Sequence, residues 1–226
     1  PDSAAAHQGW KVHVCAAAIE ASDLYSLAAP ILLRLRAAFK VPRALADVTF
    51  INSGDAGAMM MGKIMTIYPN SDEHASQIAR EIDVVWPSSR GPEVQTDVHL
   101  RPGSAVSLRY GVFGSGPIVT SSSGIHEFAL ITPDGALAAD TRRLHGAPPD
   151  WAPAPPVSCC PPRPCPVTLQ NVLSVNERRY VPLGLLSDKP TMKIFLGVSL
   201  ETLGTVVMKV GQPGAAGDEG GRDVRD

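Results

Sequence analysis

Lysine is scarce in this sequence. Six of its 20 basic residues are lysine, and only three of them, Lys11, Lys40 and Lys63, precede residue 189. A chain that relies on arginine for its basic surface does not use lysine as filler, so these three are candidates for chemistry. Charge of one sign is also lacking, since the net charge is −2. A balance so near zero argues against nucleic acid or an anionic membrane as the main partner. No apolar run approaches the ~20 residues of a membrane-spanning helix. Residues Pro1 to Gly9 carry neither the basic region nor the apolar stretch of a secretion signal, which leads to the expectation of a cytoplasmic protein. Cysteine is limited to Cys15, Cys159, Cys160 and Cys165. No histidine lies close to the last three, and their spacing fits neither a zinc site nor a disulfide scaffold. Cys15 reads as a small buried hydrophobe on a strand.

What is abundant is proline and glycine, 21 and 20 residues of 226. Nine prolines fall between Pro148 and Pro166. Such a segment cannot be helix or central strand and reads as an extended linker. It divides the chain into a block of residues 1–147, a linker of 148–168 and a second block of 169–226.

In the first block, Trp10, Val12 and Val14 alternate with Lys11 and His13, which predicts a half-buried strand carrying two ionisable groups on its polar face. Leu24, Leu27, Ile31 and Leu35 recur at helical spacing between Ile19 and Ala38, with Ser22 as the expected N-cap and Pro30 as a kink. Phe39-Lys40-Val41 reads as a short strand, Arg43 to Asn52 as a helix, and Lys63 to Tyr68 as a strand. Asn70 or Ser71 should cap a helix from Asp72 to about Val85. Ala105 to Phe113 is a further strand. Phe128–Ile131 and Leu137–Ala139 flank Pro133-Asp134-Gly135 as a hairpin. Irregular alternation of helices and strands with late hairpins predicts the α+β class. Tyr180–Leu185, Lys193–Val198 and Thr205–Val210 read as three strands of the second block.

Lys11 and His13 share a strand face, and Lys40, Lys63, Arg101 and Arg109 follow, all cationic or able to be. A cluster of this kind binds an oxyanion, most naturally phosphate. These residues also carry a resemblance. Trp10-Lys11-Val12-His13-Val14, Phe39-Lys40-Val41, Gly62-Lys63 leading into Thr66-Ile67-Tyr68-Pro69, Arg101-Pro102-Gly103-Ser104 and Arg109-Tyr110-Gly111 stand in the order and spacing of a known lyase domain. It is that of class III and class IV lanthipeptide synthetases, itself similar to the bacterial phosphothreonine lyase effectors. Val206-Val207-Met208-Lys209 resembles the third-strand lysine motif of a protein kinase. Asp218 and Gly221-Arg222-Asp223 resemble the segment just beyond it. Such a kinase domain follows the lyase in that family, so the chain reads as the front part of a longer multidomain enzyme.

The resemblance implies a phosphothreonine-lyase-like α+β domain with a mixed or antiparallel sheet, then the first strands of a kinase lobe. The implied activity is β-elimination of phosphate from phosphoserine or phosphothreonine in a precursor peptide, giving dehydroalanine or dehydrobutyrine in lanthipeptide biosynthesis. By resemblance Lys40 is the base, His13 the acid, and Lys11 lies near the substrate carbonyl. Lys63, Arg101 and Arg109 hold the phosphate, and Lys209 is the nucleotide-binding lysine of the kinase-like part. No cofactor or metal is implied for the lyase step. ATP and magnesium belong only to a complete kinase domain, and kinase activity is not expected of this chain. The implied partners are the phosphorylated precursor peptide and the kinase and cyclase domains of the same synthetase. Family members carry Arg where Asp55 and Ala58 stand, and polar residues where Met59 and Met60 stand. The alternative is a lyase-like module that docks a phosphopeptide or a kinase domain without chemistry.

Overall fold

The computed structural model describes residues 7–114, 116–120, 124–141, 147–163, 165, 167–189 and 191–215. Its class is α+β, as the irregular alternation of elements predicted.

A five-stranded antiparallel sheet organises the first block. Its strands are β1 (Gln8–Val14), β2 (Ala38–Lys40), β3 (Met65–Tyr68), β4 (Val98–His99) and β5 (Val106–Val112), in the order β2-β3-β1-β5-β4. Three helices accompany it, α1 (Ala21–Arg34), α2 (Leu45–Asn52) and α3 (Asp72–Val85). Helices α1 and α3 pack on each other, and α3 lies on β1 and β5. The covered sheet face supplies Trp10, Val12, Val14, Ile67, Val106 and Leu108, which meet Leu24, Leu32, Ile78 and Ile82 in one core.

Local chemistry accounts for the helix ends. Ser71 caps α3, its Oγ accepting the His74 N–H at 3.1 Å, so of the two expected caps the second serves. Helix α1 begins before the expected Ser22 cap. There Glu20 accepts the Ala17 N–H at 2.9 Å and bonds Ser89 and Arg90 as well. The carboxylate thus ties the helix entry to the loop after α3, a contact that no helical period encodes. Pro30 sits within α1 without ending it.

Strand β1 departs from the half-buried expectation. All five residues from Trp10 to Val14 are buried, Lys11 and His13 included. It is the middle strand of five, and the segment Glu93–Asp97, itself buried, closes over its second face through Asp97.

The proline-rich segment is not a free linker. Cys160 exchanges two backbone hydrogen bonds of 2.7 Å with His99 and so extends the β4 edge. Val157 joins the core, Arg163 meets Glu93, and Trp151 packs edge-on against Tyr110 at 6.0 Å. A sheet edge tolerates proline because its outward N–H groups have no partner to lose. That is how a segment barred from helix and central strand still becomes part of the domain.

A small sheet of β6 (Ile118–Thr120), β7 (His126–Ile131) and β8 (Leu137–Ala139) contains the predicted hairpin, with Gly135 at φ 84° in its turn. The second block is an antiparallel sheet of β9 (Leu173–Val175), β10 (Arg178–Lys189), β11 (Met192–Ser199) and β12 (Thr205–Gly211), in the order β12-β11-β10-β9. Its three longer strands match the three read from the sequence. The Asp218 and Gly221-Arg222-Asp223 motif lies outside the described residues.

Candidate functional site

Antiparallel register sets which side chains share a face, because residues directly opposite point the same way. Lys40 pairs with Thr66, Thr66 with His13, His13 with Ser107, and Ser107 with His99. These five therefore form one row across the sheet, on the face away from α3. Lys11 pairs with Arg109 one step further along the same face. Strands β1 to β5, spread over about 100 residues of chain, thus supply a single polar face.

Asp97 organises that surface, and sequence reasoning missed it. Its side chain lies 2.5 Å from His13 Nδ1, accepts from Ser107 Oγ at 3.0 Å and Thr96 Oγ1 at 2.7 Å, and stands 3.6 Å from Lys63 Nζ. It is 2% exposed. Burial by itself would raise its carboxyl, but the charges of His13 and Lys63 and the hydrogen bonds from His13 and Thr96 outweigh that. Asp97 is held below the usual carboxylate range and is ionised. His13 moves the other way from what an acid needs. Burial lowers it to about 4, with Lys63 and Lys11 adding to the effect and Asp97 opposing it. At neutral pH the resting imidazole is neutral, donates Nδ1–H to Asp97 and keeps Nε2 for chemistry. His13, the acid by resemblance, thus rests neutral, because the middle strand of the sheet is desolvated.

This arrangement fixes an acid response. The unfolded chain protonates His13 near 6.5 and the folded one near 4. Between those values the unfolded state binds more protons, so stability falls as pH drops through the window and is constant above it. The loss from His13 is about 3 kcal/mol by pH 4. Urea unfolding at pH 7 and pH 4.5 should show this slope in the unaltered protein and a much flatter one in His13→Asn. Equal slopes would mean that His13 is not desolvated.

The other predicted residues fall in different places. Lys40 is exposed on the edge strand β2, its Nζ 5.9 Å from the Tyr68 ring centroid. With Lys63 and Thr66 it lines a cavity of about 340 Å³. Lys11 is buried beside His13. Arg109 is buried too, but Asp140 holds its guanidinium, with Nη1 3.4 Å from Oδ2 and a closer contact from Nη2 to Oδ1. Arg109 lines a second cavity of about 260 Å³ with Trp10, Tyr110 and Pro149, not the one at Lys40. Arg101 is spent on α3 and its following loop, bonding Asp83 at 3.1 Å and the Pro87 carbonyl at 2.7 Å. Lys209 is exposed on β12 opposite Ile194, in the other sheet. Asp55 is exposed and accepts from Ser53 Oγ at 2.7 Å. The structure therefore brings Lys40, Lys63 and His13 together, sets Lys11 beside His13 with Arg109 opposite it but held by Asp140, and places Arg101 and Lys209 elsewhere.

Burial pushes the Cys15 thiol up to about 12 and the Cys159 thiol up to about 11, so neither is a thiolate at neutral pH.

Together the row provides an exposed amine and a desolvated imidazole, with one strand between them and a buried carboxylate behind the imidazole. Such an arrangement can move one proton off a substrate and another onto its leaving group. Among known families, the model described as RamC, N-terminal domain matches residues 1–163, which include the docked proline-rich segment up to Arg163. No curated protein matches the chain.

Proposed function

We propose that this chain, which belongs to the RamC N-terminal-domain family, eliminates phosphate from phosphoserine or phosphothreonine in a lanthipeptide precursor. The observation that carries this reading is the row Lys40–Thr66–His13, backed by Asp97 and Lys63. Neighbouring strands are about 4.8 Å apart, so the Lys40 and His13 backbones stand about 10 Å apart across β3. A phosphorylated residue seated over Thr66 lies within reach of both.

Lys40 takes the Cα proton as the base. The electron pair left at Cα forms the Cα–Cβ double bond, and the Cβ–O bond breaks with its pair going to phosphate. The imidazolium of His13 then protonates the departing oxygen. His13 rests neutral, so it must take up a proton from solvent as the substrate binds. A phosphate dianion placed beside it favours the charged imidazole and raises its pKa. Lys63 neutralises charge on the leaving group, and Lys11 stabilises enolate character at the substrate carbonyl. The products are a dehydroamino acid and inorganic phosphate.

The sheet β9–β12 lies past the end of the family match, and we read it as the start of a kinase-like lobe carrying Lys209. Kinase and cyclase domains of the same synthetase are the partners this reading implies.

The test is incubation of the chain with a phosphothreonine peptide, followed by mass spectrometry. Loss of one phosphoric acid per phosphorylated residue is expected. Tight phosphopeptide binding without loss would replace the lyase by a docking module, and neither binding nor loss would overturn both.

A further inference from the structure

The cavity at Lys40 contains a cation that no motif singled out. Arg43 lines it beside Lys40 and Lys63, and Asp47 is its one carboxylate among the described residues. Three cations face one anion there. Four other cations of this domain have their charge matched already: Arg109 by Asp140, Arg101 by Asp83, Arg34 by Glu81 and Arg90 by Glu20. Lys63 itself stands 3.6 Å from Asp97. Among the described residues, neither Lys40 nor Arg43 has a carboxylate within ion-pair distance. Asp47 does not neutralise Arg43 even though the two share the cavity. Its Oδ2 is turned to the start of α2, where it accepts the Ala44 N–H at 3.1 Å.

The chain between the two cations is short and stiff. Lys40 ends β2, and Val41-Pro42 leads directly to Arg43. Proline fixes its own φ and keeps the preceding residue extended, so Arg43 is carried in a set position relative to the Lys40 strand. A guanidinium offers two parallel N–H donors to a phosphoryl group, and a lysine ammonium cannot match that geometry. The apolar side of the same cavity, Ile51, Met60 and Ile64, supplies low-dielectric walls that strengthen such a contact.

We propose that Arg43 is the phosphate-gripping residue of this cavity, binding the phosphoryl group of the substrate and leaving Lys40 free to act at Cα. It rests on the lyase reading for the identity of the substrate. The Asp47 carboxylate weakens that grip.

The test is titration of a fluorescently labelled phosphothreonine peptide and its unphosphorylated twin, with turnover measured on the same samples. Arg43→Ala should weaken phosphopeptide binding about tenfold or more, leave the unphosphorylated peptide unchanged and raise KM with kcat within a few-fold. Arg43→Lys should restore only part of the affinity. Asp47→Asn, whose amide oxygen can still accept the Ala44 N–H, should tighten binding several-fold. Phosphopeptide binding and KM unchanged in Arg43→Ala would overturn the assignment even if the chain is an active lyase. Conversely, if the unaltered chain binds phosphopeptide through Arg43 but eliminates nothing, the Arg43 assignment stands and the proposed reaction falls.

Discussion

Lys40→Ala is expected to lower the rate of phosphate elimination by about 10³-fold or more while phosphopeptide affinity stays within a few-fold. Removing a positioned general base costs about 10²–10⁴ in rate, and no other side chain can take its place. Lys63 shares the cavity but faces Asp97 at 3.6 Å. Lys11 is buried further along β1. Lys40 lies on the exposed edge strand with its Nζ 5.9 Å from the Tyr68 ring centroid and, among the described residues, no carboxylate paired with it, so truncating it removes neither core packing nor a salt bridge. Folding should survive, which makes the result interpretable. Affinity should also survive, because Arg43 and Lys63 remain to meet the phosphoryl group. A Lys40→Ala chain that still eliminates at the original rate would remove Lys40 from the reaction. A chain that lost binding as strongly as rate would make Lys40 a phosphate ligand instead of a base.

Much of this site was legible before the fold was known, and the reason is local. Alternation in Trp10–Val14 put Lys11 and His13 on one face, and a period of two is a property of the strand itself. Helix α3 was equally readable, since Ser71 and the spacing of Ile78 and Ile82 are short-range signals. What escaped depends on contacts distant in sequence. Asp97 reaches His13 across 84 residues from a segment with no period. The ion pair that holds the Arg109 guanidinium comes from Asp140, 31 residues on. Arg101 looked like its neighbours until α3 placed Asp83 against it. Proline content excluded helix and central strand from residues 148–168, but only the tertiary fold decides that Cys160 closes the sheet edge at His99. Strands β4, β6 and β9, of two or three residues, are too short to show a period.

The largest effect outside the cavity is expected at the carboxylate behind His13. Asp97→Asn keeps the shape of the side chain and removes its charge, yet each oxygen of Asp97 now receives donors. His13 and Ser107 meet Oδ2, and Thr96 and Lys63 face Oδ1. An amide must turn its NH₂ toward one of these pairs, so a donor meets a donor in a site that is 2% exposed. Breaking a buried charged pair in this way costs about 3–5 kcal/mol of stability. The chemical consequence is sharper. If the NH₂ faces His13, the imidazole must accept at Nδ1 and carry its proton on Nε2, which is the wrong tautomer to be recharged as the substrate binds. An Asp-to-Asn change behind a catalytic histidine costs about 10⁴ in kcat in the serine-protease triad. A loss of about 10³-fold or more is expected here. KM should change less than kcat, because Arg43 and Lys63 still hold the phosphoryl group. The pH profile separates this from simple unfolding. Asp97 is the main influence that raises His13 against burial, so in its absence the residual activity should require a lower pH. Ser107→Ala, which removes one donor and leaves the carboxylate, should lower kcat only a few-fold. If Asp97→Asn and Ser107→Ala lost rate equally, with no shift of the pH profile, Asp97 would be a structural carboxylate and His13 would act without it.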